Sequence, residues 1–110
     1  MSYQHRNLAG GRWNRLPFLE KMANIGSEVE RALNWREKHN AIYSQQASLR
    51  ALELMDLTLD SVKGFARLKE LARLREALVD YFFGANEFMS TTESWKKYFS
   101  HFTYAARRNY

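Results

Sequence analysis

The groups in this chain that could do chemistry are three histidines and twelve carboxylates, and their spacing limits what they can do. A di-metal site in a helical bundle takes Glu from two helices and Glu-x-x-His from two others, so that the ligands converge on one core. His5, His39 and His101 all lack a Glu three residues earlier. The nearest approach, Glu37-Lys-His39, is spaced by two and points the pair to different faces of a helix. Magnesium chemistry on nucleotides needs less: a few carboxylates plus phosphate oxygens. Glu53-x-x-Asp56 and Glu76-x-x-x-Asp80 each place two acids on one helix face, which keeps a magnesium-dependent nucleotide hydrolase as an alternative reading. Glu76 and Asp80, however, fall on the polar side of their helix, where acids ordinarily serve as solvated charge neighbours. No glycine loop could cradle a phosphate, and no nucleophile elbow occurs. With no cysteine there is no thiol nucleophile, thiolate metal site or disulfide. The expectation is a protein that is not an enzyme and carries no cofactor or metal.

The charges point elsewhere. Seventeen basic residues face twelve acids, but unevenly. Residues 1–19 hold Arg6, Arg12 and Arg15 and no acid; residues 95–110 hold Lys96, Lys97, Arg107 and Arg108 and no acid. Residues 20–94 carry all twelve acids and net −2, so the two ends supply +7. A pI near 9.7 favours polyanions or acidic proteins as partners. On a last helix, Lys96 and Arg107 share one flank, Lys97, His101 and Arg108 another, and Tyr104 stands between them. Such a surface can neutralise phosphates and stack a base. The same residues could simply solvate an outer face, and cations near a helix C-terminus also favour its dipole. Nucleic acid, RNA foremost, is the expected partner of Arg6, Arg12, Arg15, Lys96, Lys97, Tyr104, Arg107 and Arg108. The alternative is a protein–protein module whose basic surface meets an acidic partner.

Helices must position these groups. One proline and five glycines in 110 residues leave room for long helices and too few turns for a many-stranded fold. Residues 1–14 read as a flexible basic arm, hinged at Gly10-Gly11, and 15–110 as one helical domain. A first helix is expected from about Leu16 to Lys38, with Phe18, Met22, Ile25, Gly26, Val29, Ala32 and Leu33 on one face. A second covers about Ala41–Leu59 after a break at Asn40. Asp60 or Ser61 would cap a third, ending near Phe83 before Gly84. Ser90-Thr-Thr-Glu93 has the spacing of a capping box for a fourth, about Thr92–Arg107, with Trp95, Tyr98, Phe99, Phe102 and Ala106 inward. Short joints make neighbours antiparallel, so the expected fold is all-α: an up-down-up-down four-helix bundle with a basic N-terminal arm.

The second helix is apolar around most of its circumference. Tyr43, Ala47, Ala51, Leu54 and Thr58 form one seam, Leu52, Met55 and Leu59 another, and Ile42 and Leu49 lie beyond. A wide neighbour could cover these. An exposed apolar patch would instead mark an interface, so Ile42, Leu49, Leu52, Met55 and Leu59 are the expected contact with a protein partner or a second copy. Arg75 and Arg36 project from apolar faces and need an acid or a carbonyl; Glu28, Glu53 and Asp56 are candidates for a buried ion pair with Arg75. No apolar run reaches the roughly 20 residues of a membrane span, and the N-terminus lacks the apolar core of a secretory signal. The expected location is cytoplasmic.

The blocks NIGSEVERALNWR (24–36), RALELMDLTL (50–59) and RLKELARLREALVDYF (67–82) resemble a family of short, largely uncharacterised bacterial helical proteins, over about residues 15–106. That resemblance implies a bundle and no activity. In size, helix count and basicity the chain also resembles the four-helix-bundle accessory proteins of bacterial diversity-generating retroelements. Those assemble as rings and bind a reverse transcriptase and its RNA. The likeness implies an accessory subunit of a reverse transcriptase complex; no residue motif accompanies it.

Overall fold

The computed structural model describes residues 11–108. Arg6, the rest of residues 1–10, and residues 109–110 lie outside it. Four helices, α1 (Phe18–Glu37), α2 (Ala41–Ser61), α3 (Phe65–Phe83) and α4 (Thr92–Arg108), form the fold, with no strand among the described residues.

The joints show why the helices stop where they do. Pro17 lies just before α1 in an extended conformation, and its carbonyl accepts from Lys21 N at 3.0 Å. After α1, His39 takes a left-handed φ of 59°, and Asn40 N reaches back to Trp35 O at 2.9 Å, closing the last turn. The Asn40 side chain then caps α2 by accepting from Tyr43 N at 3.0 Å.

The third helix starts later than the sequence predicts. Asp60 and Ser61 belong to α2, and Ser61 Oγ donates to Thr58 O at 3.1 Å rather than capping α3. The break falls at Gly64, whose φ of 104° carries a steric cost for any side chain. Gly84 ends α3 as expected. The following loop hangs on Asp80, whose Oδ1 accepts from Glu87 N at 2.8 Å and Oδ2 from Phe88 N at 3.0 Å. The capping box of α4 sits one residue later than expected. Thr91 Oγ1 accepts from Ser94 N at 3.0 Å, while Ser94 Oγ accepts from Thr91 N at 2.9 Å.

Pairings between helices set their sense. Ser44 of α2 reaches Ala32 O of α1, Arg50 reaches Glu28, and Ser61 meets Lys21, so numbers fall along α1 as they rise along α2. Phe18 packs on Phe102 and Gly26 on Phe99, so α1 and α4 also run in opposite senses. On α3, Arg67 lies over Phe18 and Arg36 bonds Tyr81 O, which puts α3 in the same sense as α1. Met22, Ile25, Val29 and Leu33 of α1 form the centre of the core, facing Ala51, Leu54 and Met55 of α2 and Trp95 and Phe99 of α4. α3 is peripheral and buries only Leu71, Leu74 and Leu78.

One expectation about the arm is overturned within the described residues. Trp13 belongs to the core: it is 1% exposed in a short 3-10 turn (Trp13–Arg15), and its Nε1 donates to the buried Thr58 Oγ1 at 2.9 Å. A large aromatic with a polar edge is stable in such a place only when that edge finds a partner. The segment just after Gly10-Gly11 is therefore docked, not loose.

Candidate nucleic-acid interface

The helix senses bring the start of α1, the α2–α3 joint and the end of α4 to one end of the bundle. Trp13 pins the residues before α1 to the last turns of α2. Arg67, in the first turn of α3, places its guanidinium 4.1 Å from the Phe18 ring centre. Phe18 in turn meets Phe102 edge-on at 6.3 Å. Arg107 shares a surface depression with Glu20, Ala23 and Asn24 of α1.

This end therefore gathers Arg12 and Arg15 before α1, Lys21 within it, Lys63 and Arg67 around the α2–α3 joint, and Arg107 and Arg108 on α4. The acids on the same stretches are Glu20 and Asp60. Arg12, Arg15, Lys63, Arg67, Arg107 and Arg108 are exposed. None of them forms an ion pair with a described residue. Lys21 differs: it is buried and donates to Ser61 Oγ at 3.0 Å, and burial holds its pKa below the ordinary lysine value.

Lys96 and Lys97 do not belong to this pole. They sit in the second turn of α4, about 16 Å along the axis from Arg107 at 1.5 Å per residue. Lys96 instead joins Arg107 along one groove between α1 and α4, a cavity of about 380 Å³. Val29, Leu33, Trp95 and Phe99, all buried, floor it. Glu30 borders it from α1, and Lys96, Ser100, Tyr104 and Arg107 from α4. Tyr104 is 66% exposed, with the Arg108 guanidinium 5.8 Å from its ring centre. Lys97 is exposed but does not border the groove. Trp95 Nε1 is buried beside it with no hydrogen-bond partner among the described residues.

Sequence reasoning missed Lys63, Arg67 and Glu30. The first two lie in the segment that nets −2, where neighbouring acids conceal them; a tally by helix end, rather than along the chain, would have found them. Glu30 reads as one more acid on a polar face until α4 is laid beside it.

The expected partner surface on α2 is smaller than the sequence implies. Met55 is 0% exposed and lies in the core, and Leu52 and Leu59 are partly covered. The reason is that α2 packs on both α1 and α3 and needs an apolar arc wide enough for two neighbours. Ile42 at 68% and Leu49 at 44% remain exposed, with Tyr43 beside them. Arg75 pairs with Asp56 at 2.7 Å, but the two side chains are 38% and 42% exposed, so this is a half-solvated pair, not a buried one. Arg36 satisfies itself on Tyr81 O at 3.3 Å and lies 4.7 Å over the Tyr81 ring.

Two of the four carboxylates that prompted the magnesium reading, Asp56 and Asp80, have structural work. Asp56 holds Arg75, and both Asp80 oxygens hold the loop after α3. Among the described residues no three of His, Asp and Glu converge as a metal site. Tyr98, between α3 and α4, has its pKa pushed above the usual tyrosine range by burial and then by its hydrogen bond to Glu70. No described helix is long and apolar enough to cross a membrane. Set against known protein families, curated proteins and solved structures, the chain matches none.

Proposed function

We propose that this chain is a non-enzymatic helical adaptor that binds nucleic acid, RNA foremost, through its positive end and the outer face of α4. The observation that carries this reading is the charge at one end of the bundle: six exposed cations without a carboxylate partner among the described residues. Phosphates are the densest partners for such a surface, and releasing their counterions drives association. Tyr104 adds a flat face on which an unpaired base can stack, which favours single-stranded RNA over a regular duplex. The exposed Ile42, Tyr43 and Leu49 on α2 serve the second contact, with a protein partner or another copy. On architectural resemblance alone, a reverse transcriptase with its RNA is one assembly to test.

Replacing Arg15, Lys63, Arg107 and Arg108 by Glu is the direct test. RNA affinity should collapse while helicity by circular dichroism stays unchanged. Single replacements should each lower the salt slope of binding by about one. Undiminished binding in the quadruple variant would dispose of the pole. The competing reading, an acidic protein partner, takes over if the wild-type protein binds neither random RNA nor DNA at low salt.

A further inference from the structure

We propose that the groove between α1 and α4 is a base-reading subsite that takes an unpaired nucleobase bearing an exocyclic amine. This rests on the nucleic-acid reading above and goes beyond it, because a charged pole alone has no base preference.

Three features of the groove point the same way. Its floor is made of buried apolar and aromatic side chains, suited to a flat ring rather than to a phosphate. Lys96 and Arg107 stand along it, and neither forms an ion pair with a described residue, so each is available to a phosphate flanking the base. Glu30 stands on the α1 side, likewise without an ion pair to a described residue. A lone carboxylate beside a polyanion site is unfavourable unless it has something to accept. The exocyclic amine of cytosine, adenine or guanine supplies that donor, and carboxylates pair with the cytosine amine in this way. Uracil presents a carbonyl at the same position and would set oxygen against oxygen. A simple apolar anion such as a fatty acid fits the floor and the cations but leaves Glu30 repelled. The groove volume of about 380 Å³ lies within the range of small-ligand sites.

The cleanest probes are fluorescein-labelled ten-residue RNAs of cytidine and of uridine, equal in charge and ring size. Wild-type protein should bind the cytidine oligomer at least about fivefold tighter in anisotropy titrations, the lower end of one good base contact. Glu30→Ala should bring that ratio to about one, with uridine binding unchanged or tighter because a negative charge is gone. Ser100 is exposed at the groove edge, so Ser100→Trp should obstruct the cavity without altering charge and should also erase the preference. Equal wild-type affinities for the two oligomers, or a preference that survives Glu30→Ala, overturn the subsite and leave the positive pole standing. Binding of neither oligomer at low salt removes both.

Discussion

Gly26 lets α4 pass close to α1 at Phe99: a Cβ built on Gly26 would lie 2.8 Å from Phe99 Cβ and 2.9 Å from its Cδ1. Phe99 Cβ is anchored to the α4 backbone, so it cannot move away alone. This contact places α4 against α1 and thereby frames the groove that Glu30, Lys96 and Arg107 border.

Gly26→Ala tests that contact. Alanine gains about 1 kcal/mol of helix propensity over glycine, but overpacking at so close a contact costs about 1–3 kcal/mol. The net expectation is a loss of about 1 kcal/mol in urea unfolding. A stabilised variant would show that α1 and α4 do not meet this closely.

Trp13 ties the residues before α1 to α2. Trp13→Ala should cost about 3–5 kcal/mol, the range for emptying a large aromatic site. Trp13→Phe keeps most of the packing and loses the bond to Thr58, a cost of about 1 kcal/mol. Thermal unfolding of both variants measures this. If Trp13→Ala unfolds like the wild type, the turn at Trp13–Arg15 is not part of the core.

Lys21 predicts a pH dependence. Its folded pKa lies below the ordinary 10.5 because burial disfavours the ammonium. Below the folded value both states hold the proton, and the fold bears the full cost of burying the charge. Between the lowered value and 10.5 the unfolded chain binds more protons than the folded one, so this group's contribution to stability rises with pH. Lys21→Met should therefore unfold at equal or higher urea concentration at neutral pH. The difference between variant and wild type should shrink as pH climbs through that window. A constant difference across pH would mean the ammonium is not desolvated.

How much of this was legible in advance follows from the range of each interaction. The apolar face of α1 was readable because 3.6-residue periodicity is local, and Met22, Ile25, Val29 and Leu33 are all buried as the pattern predicts. Asn40 and Gly84 were readable as boundaries because capping needs only a few adjacent residues. Boundaries failed where two local solutions competed. Ser61 could have capped α3, but its hydroxyl is taken by Thr58 O and Lys21 Nζ, and the latter partner is 40 residues away.

The site was less legible than the fold. Met55 looked like interface because a helix wheel cannot say how many neighbours a helix has; with α1 and α3 both on α2, the same pattern is core. Trp13 looked like part of a loose arm because its partner, Thr58, is 45 residues along the chain.

The sequence by itself determined four helices, their apolar faces and a surplus of positive charge, because periodicity, capping and charge counts are properties of neighbouring residues. Only the tertiary structure decided which charges stand together. Arg67 reaches the start of α1 through Phe18, Arg107 comes down beside Glu20, and Glu30 comes to border the groove that holds Lys96. Those juxtapositions follow from the senses in which the helices pack, and packing depends on contacts between residues far apart in the chain.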